Sequence, residues 1–191
     1  MNRIVTVVLL TGAVLALVAA VVIPARFGHP VTPAMQQSAI TASGRIVSAL
    51  PDHAPGRPQL VIFILPGCLC SEDYEPFTHA LYQAYSSNVD FVGVVDGSEQ
   101  DAQAWRMVHQ TPFPLIADPD CSIADQFDAK RSAYTAVILD GETIHRLWPG
   151  YSAQMLNELS ELLAAESNVP VALIETSRAP SKLTSGCLLG P

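Results

Sequence analysis

Two cysteines, Cys68 and Cys70, are separated by one residue. They follow an apolar run at residues 60–65, and only Pro66-Gly67 lies between that run and Cys68. The run predicts a buried strand. Ser71 and the acidic residues after it are typical of the first turn of a helix. Because the N–H groups at a helix N-terminus stabilise a thiolate, which is the nucleophilic form of cysteine, the sequence predicts thiol chemistry at a strand-to-helix turn.

The two thiols can close a disulfide ring with one residue between them. Such a ring is tight, and strain makes a disulfide easier to reduce. We expect Cys68 to attack the disulfide of a partner and Cys70 to resolve the mixed disulfide that forms. Cys187, on a flexible C-terminal tail, is the rival resolving residue. The alternative to this chemistry is a pair of inert core thiols.

Strands and helices alternate along the rest of the domain. Apolar runs predict strands at residues 89–96, 115–118, 135–140 and 143–147. Helices are predicted over residues 98–110, over a short segment after residue 120, and after Ser152, which is a plausible N-cap. This order predicts an α/β fold with a mixed central sheet flanked by helices.

Residues 4–23 carry no charged side chain. A helix of that length spans about 30 Å, the thickness of a hydrocarbon core. The length favours an N-terminal transmembrane helix over a cleaved signal peptide, which has a shorter apolar region. Either interpretation places the domain on the extracytoplasmic, periplasmic side, anchored in the membrane or secreted. Disulfides persist there.

Composition limits the partners and the number of domains. The chain has 191 residues and a formal charge of −8, with only 10 Lys and Arg, which argues against nucleic acid as a partner. Its four cysteines are too few for a disulfide-built scaffold. We expect a membrane segment at residues 1–25, a flexible Pro-rich linker at 26–58, one domain at 59–167 and a tail at 168–191.

Several motifs in this order resemble the thioredoxin-like superfamily, and within it the redoxin branch of TlpA-type thiol-disulfide oxidoreductases and AhpC/TSA peroxiredoxin-like domains. The segment Cys68-Leu69-Cys70-Ser71-Glu72-Asp73-Tyr74-Glu75-Pro76 is similar to a redoxin motif Cys-Pro-x-Ser-x-x-Tyr-x-Pro. Residues 113–120 and 137–141 follow the family pattern, and Gly186-Cys187 matches a Gly-Cys pair after the last helix.

The resemblance implies a thioredoxin-like fold and disulfide exchange without a cofactor. It implies protein thiols or disulfides as substrates and a membrane or extracytoplasmic redox partner. It places Cys68, Cys70 and Cys187 in catalysis. The positions that would face a substrate are Pro66, Gly67, Ser71 and Tyr134.

Three departures from the family pattern stand out. Ser71 occupies the position of the second cysteine of a Cys-x-x-Cys motif, and Tyr134 occupies the position of the family's cis-proline, where we expect an ordinary trans peptide. A peroxiredoxin has Thr or Ser three residues before its cysteine, but those positions are Leu65 and Gly67 here. The last departure argues against an efficient peroxidase.

Three other functions remain open. Cys68 and Cys70, with a distal histidine such as His145, form a soft ligand set that suits Cu(I) or Zn(II) in a metallochaperone. A peroxiredoxin-like protein and an inactive thioredoxin-fold scaffold are the others. Cys121 is expected at the start of a short helix, where the family usually has a turn glycine.

Overall fold

The computed structural model describes residues 28–51 and 53–190. The predicted transmembrane or signal segment at residues 4–23 lies outside the described residues. Among the residues that the structure describes, no helix is both long enough and apolar enough to cross a bilayer.

The strands of the described part of the chain are β1 (His29–Pro30), β2 (Gln59–Ile64), β3 (Asp90–Val95), β4 (Leu115–Ala117), β5 (Thr135–Leu139), β6 (Thr143–Trp148) and β7 (Thr184–Ser185). A five-stranded mixed sheet forms the centre of the fold, in the order β4-β3-β2-β5-β6. Strands β2, β3 and β4 run parallel, whereas β5 and β6 are antiparallel to their neighbours. A separate two-stranded sheet pairs β1 with β7.

Five helices are described: α1 (Pro33–Ala42), α2 (Leu69–Tyr85), α3 (Glu99–His109), α4 (Ser122–Gln126) and α5 (Ala153–Ser167). Alternate residues of β2 belong to two core clusters, because successive side chains of a strand point to opposite faces of the sheet. One cluster joins Leu60 and Ile62 to buried residues of α2, α3 and α5. The other joins Val61 and Phe63 to residues of α1 and α4. The α/β fold class with a flanked mixed sheet is confirmed.

The element ends differ little from prediction, and the start of α2 is the exception that matters for function. Both thiols were expected in the turn before the helix, but α2 begins at Leu69 with Cys68 as its N-cap residue. The Ser71 hydroxyl does not cap the helix, because it accepts a hydrogen bond of 3.1 Å from the N–H of Leu65. Cys70 therefore lies inside the first turn of α2.

The segment expected to be a flexible linker, residues 26–58, contains helix α1. Thr32 caps this helix by accepting from the N–H of Met35, and Pro33 stands at its start, where a missing N–H costs nothing. Buried residues of the segment pack into the second core cluster: Ala39, Ala42, Val47 and Leu50. The linker prediction was wrong for this part, because small apolar residues spaced among the prolines pack against the same face of the sheet as Val61 and Phe63. Ile46 also forms an isolated bridge to Thr143.

The C-terminal tail is also ordered over its described length, contrary to the expectation of flexibility. Ile174 joins the first core cluster. Tyr151 and Thr184 exchange backbone hydrogen bonds of 2.9 and 3.0 Å, and Thr184 is the first residue of β7. The tail therefore has a defined path back to the start of α2.

Candidate active site

Cys68 lies at the junction of β2 and α2. Gly67, with φ of +77°, makes the turn, and the N–H of Cys68 donates to the carbonyl of Leu65 at 3.1 Å. The carbonyl of Cys68 in turn accepts from the N–H groups of Ser71 and Glu72. Because the helix dipole places partial positive charge at this end, α2 favours a thiolate at Cys68.

The tail brings Cys187 directly onto Cys68. The two Sγ atoms lie 3.3 Å apart, and the backbone N–H of Cys187 also donates to the Cys68 sulfur at 3.3 Å. Backbone hydrogen bonds of 2.9 Å on either side, from Ser132 N–H to Cys187 O and from Gly186 N–H to Ser132 O, hold the tail here. Cys187 is exposed, whereas Cys68 is buried.

Ser132 is a site residue that the sequence did not single out. Its hydroxyl donates to the Cys68 sulfur at 3.3 Å, and its side chain is fully buried. A Cβ added to Gly186 would collide with the Ser132 hydroxyl and lie 3.1 Å from the Cys68 sulfur. The only sequence signal was the position of Ser132 in the loop before β5, where the resemblance pointed to Tyr134 instead.

Cys70 is the third thiol of the cluster and, like Cys68, it is buried. It is buried in the first turn of α2. Gly28, just before β1, lies against it, because a Cβ added to Gly28 would collide with the Cys70 sulfur. Cys70 is therefore covered by the N-terminal side of the described chain, whereas Cys187 faces solvent.

The three thiols differ in protonation. Hydrogen bonds from the Cys70 thiol, the Ser132 hydroxyl and the Cys187 N–H and thiol hold the pKa of Cys68 well below its usual range, although burial opposes them. The same hydrogen bonds to Cys68, together with burial, raise the pKa values of Cys70 and Cys187. The arrangement supports one thiolate, at Cys68, between two protonated thiols.

The expected substrate-facing residues divide into two pairs. Pro66 is half-buried and Gly67 exposed in the turn before Cys68. Ser71 is buried, and its hydroxyl accepts a hydrogen bond from the N–H of Leu65, so this hydroxyl has a structural role. Tyr134 is buried and packs in the second core cluster, whereas the thiols Cys68 and Cys70 belong to the first.

The expectation for Tyr134 therefore needs correction, and the alternation of strand β5 explains why. The next residue, Thr135, is the one that turns towards α2, with its hydroxyl 2.8 Å from that of Tyr74. Tyr134 contributes its carbonyl, which accepts from the N–H of Phe63 at 3.0 Å. No peptide bond among the described residues is cis.

The remaining cysteine, Cys121, lies in the second core cluster, apart from Cys68 and Cys70. Cys121 is the N-cap residue of α4 with φ of +54°, a left-handed position where a turn glycine is at home. Burial and the neighbouring Asp96 raise the pKa of its thiol to about 11. Across residues 28–51 and 53–190, no group of three or more His, Cys, Asp or Glu side chains has the arrangement of a metal site. His145 is exposed on β6.

Comparison with known proteins decides the family. The AhpC/TSA family profile matches residues 33–146, which is more than half of the chain. The chain belongs to the AhpC/TSA family. The resemblance to redoxins within the thioredoxin-like superfamily is confirmed, and the match extends upstream over α1. An AhpC/TSA redoxin performs thiol-based redox chemistry, and Cys68-x-Cys70 stands at the start of the first helix after β2.

Solved structures share the fold at low sequence identity. An uncharacterized conserved protein from Geobacillus kaustophilus is 15% identical with a TM-score of 0.55, covering 85% of this chain and 90% of that one. A putative thiol:disulfide interchange protein DsbE from Chlorobium tepidum is 14% identical with a TM-score of 0.57, covering 65% and 96%. The thioredoxin domain of a thiol-disulfide oxidoreductase from Bacteroides vulgatus is 14% identical with a TM-score of 0.53, covering 63% and 97%. No curated protein sequence matches the chain.

Proposed function

We propose that this AhpC/TSA redoxin is a thiol-disulfide oxidoreductase in which Cys68 is the attacking thiolate. The observation that carries the proposal is the thiol cluster: the Cys68 sulfur lies at a helix N-terminus, 3.3 Å from the sulfur of Cys187. A thiolate with a second thiol at contact distance is what disulfide exchange requires, because the second thiol must reach the mixed disulfide.

The exchange proceeds in two steps. The Cys68 thiolate attacks one sulfur of a partner disulfide, so a bond forms from Cys68 to that sulfur and the other partner sulfur leaves as a thiolate. A second thiol of the protein then loses its proton and attacks the Cys68 sulfur. The partner leaves fully reduced, and the protein keeps an internal disulfide. The same steps run in reverse when the protein is the oxidant.

Cys187 is the better-placed resolving thiol, with Cys70 as the alternative. In the resting site the hydrogen bond to Cys68 is the largest cause that raises the pKa of Cys187, while the charge of Arg131 lowers it. Once Cys68 is part of a mixed disulfide, its sulfur carries no negative charge, and that cause disappears. Cys187 therefore becomes easier to deprotonate at the step in which it must attack.

The proposed location is extracytoplasmic, with the domain tethered through residues 4–23. The support is the uncharged length of that segment in the sequence. An oxidising compartment also suits a protein whose chemistry needs disulfide partners. A membrane-bound or extracytoplasmic dithiol protein would then return the site to its starting redox state.

The test is to equilibrate the full chain in glutathione buffers and to map the linkages by mass spectrometry of alkylated peptides. We expect one reversible internal disulfide that includes Cys68, with a potential near or above roughly −200 mV. Cys68→Ser should abolish it, and Cys121→Ser, in the other core cluster, is the matched control. Comparing Cys70→Ser with Cys187→Ser identifies the resolving thiol.

Two outcomes would overturn the proposal. Thiols that form no internal disulfide at any glutathione ratio would leave an inactive scaffold or, if they hold stoichiometric metal, a metal-binding protein. Consumption of hydrogen peroxide that greatly outpaces the reaction with disulfides would instead make the protein a peroxidase.

A further inference from the structure

A groove of about 950 Å³ runs beside the thiol cluster, between α2 and the C-terminal tail. Glu72 and Asp73, from the first turns of α2, line one side, and Glu175 with residues 178–181 of the tail line the other. Gly28, which lies against the Cys70 sulfur, belongs to the lining as well. The groove therefore reaches the residue that covers the Cys70 sulfur.

The lining of the groove is apolar at its base. Phe77 and Tyr151 are buried, and Tyr151 stacks on Tyr74 with 4.6 Å between ring centroids. The apolar lining residues are Pro76, Phe77, Ala80, Tyr151, Ala179 and Pro180. Rings and prolines of this kind suit an extended peptide, which brings alternating side chains to a surface.

The rim of the groove is acidic. Glu72, Asp73 and Glu175 face a single cation, Arg178. Within the part of the chain that the structure describes, no cationic side chain lies within 4 Å of any of these three carboxylates. The carboxylate of Glu175 accepts from the N–H of Ser177 at 2.7 Å, which keeps it ionised and oriented. The rim thus offers net negative charge to whatever lies in the groove.

We infer that the groove binds an apolar, positively charged segment of a protein substrate and so presents the neighbouring disulfide to Cys68. This inference rests on the proposed exchange function and adds the class of substrate. The occupant follows from complementarity: an apolar base takes apolar side chains, and an acidic rim attracts Lys or Arg and repels acidic segments. Its position beside the thiols explains why binding there would assist exchange.

The test uses the full chain and three disulfide probes. Two are peptides of equal length, each with one disulfide flanked by Leu and Phe, one with two Lys and the other with two Glu. The third is a small neutral disulfide. We expect the second-order rate constant at which the reduced protein cleaves the disulfide of the cationic peptide to exceed that for the acidic peptide about tenfold at low salt. The difference should shrink as ionic strength rises, because salt screens exposed charges.

Variants locate the effect. Glu72→Gln with Glu175→Gln should reduce the preference for the cationic peptide about threefold or more, since rim charges act mainly on association. Glu161→Gln, an equal change of charge at an exposed position of α5, is the control and should leave the preference unchanged.

The small neutral disulfide separates this inference from the proposed function. If it reacts with the wild-type protein while the two peptides react equally, the exchange function stands and the groove inference is wrong. If neither the small disulfide nor the two peptides react with the wild-type protein, the exchange function has failed. A dimer in sedimentation that the double variant converts to monomer would assign the groove to a second copy of the chain and overturn the inference.

Discussion

The sulfur atoms of Cys68 and Cys187 lie 3.3 Å apart although 119 positions separate the two residues in the chain. The contact makes the C-terminal tail an active-site element, because the tail supplies both a thiol and a backbone N–H to the Cys68 sulfur. Ser132 supports the tail through two backbone hydrogen bonds and also donates its hydroxyl to that sulfur. Thiolate stabilisation and tail docking therefore share one residue.

The lowered pKa of Cys68 predicts a reaction that hardly depends on pH. Between about pH 6 and pH 8, the rate at which iodoacetamide alkylates Cys68 should stay nearly constant, whereas a thiol with the ordinary pKa of about 8.5 reacts about tenfold faster per pH unit. Because the pKa of Cys68 lies below this pH window, Cys68 is already a thiolate throughout it.

Peptide mass spectrometry of quenched samples measures this rate, and Cys187 serves as the internal comparison, because its raised pKa predicts a rate that climbs with pH. A Cys68 rate that climbs in parallel with the Cys187 rate would contradict the thiolate assignment.

Ser132→Ala should raise the pKa of Cys68. A hydrogen bond to a charged group is worth about 1.5–3 kcal/mol, so its loss should raise this pKa by about 1 to 2. Because the pKa of Cys68 starts at about 3, a rise of that size leaves the thiolate dominant at pH 6, and the alkylation rate there should stay nearly unchanged. The thiolate absorbance near 240 nm, followed from low to neutral pH, reports the pKa directly.

The matched control is Ser71→Ala, which removes another buried hydroxyl close to the same turn. Its partner is the N–H of Leu65 rather than a thiolate. We expect Ser71→Ala to cost about 1 kcal/mol of stability and to leave the pKa of Cys68 in place. Equal effects of the two substitutions on the thiol would show that the Ser132 contact has no special role.

Several elements of the fold and the site could be predicted from local sequence patterns. Strand β2 is buried on both faces, so from Leu60 to Ile64 its residues form an unbroken apolar run that predicts a strand directly. The Ser98 and Ser152 caps, and the apolar stripe of α5, are local patterns as well. The thiol chemistry expected at Cys68 and Cys70 could be predicted from the position of the two cysteines between a strand and a helix.

The parts that escaped prediction depend on tertiary contacts. The tail is held by backbone hydrogen bonds to Ser132 and Tyr151, which leave no side-chain pattern in the sequence. Helix α1 packs through two alanines in a segment whose prolines indicate a linker. Ser132 and Tyr134 are two residues apart, and only the course of the loop before β5 decides which one reaches Cys68.

Gly186→Ala should slow closure of the Cys68–Cys187 disulfide. The added Cβ would collide with the Ser132 hydroxyl, so the tail must move away from α2. We expect at least a tenfold slower loss of the mixed disulfide after a small disulfide is added, since exchange falls steeply when the attacking sulfur is misplaced.

Gly28→Ala is the counterpart, because its Cβ meets the Cys70 sulfur instead. If Cys187 resolves the mixed disulfide, Gly186→Ala slows the step more than Gly28→Ala does. The opposite order would assign the step to Cys70. Time-resolved acid quenching with peptide mapping distinguishes the two results.

Tyr85→Phe should destabilise the fold through the segment that leads to the tail. The Tyr85 hydroxyl lies 2.6 Å from the hydroxyl of Ser160 in α5 and accepts a hydrogen bond of 2.8 Å from the N–H of Ala172. Removing it leaves the N–H of Ala172 without its partner, at a cost of about 1–3 kcal/mol in the free energy of unfolding, whereas the Ser160 hydroxyl keeps its hydrogen bond to the carbonyl of Ala172. Urea unfolding followed by circular dichroism measures the change.

Tyr82→Phe provides the comparison on the same helix. Tyr82 is half-buried and packs its ring against Phe91 and Phe113, contacts that phenylalanine retains. We expect a change within about 0.5 kcal/mol for this variant. Because Tyr85 joins α2 and α5 to the start of the tail, its loss should also increase amide hydrogen exchange around Ala172 and in β7. A Tyr85→Phe protein as stable as Tyr82→Phe, with unchanged exchange in the tail, would show that the Tyr85 hydroxyl does not hold the tail in place.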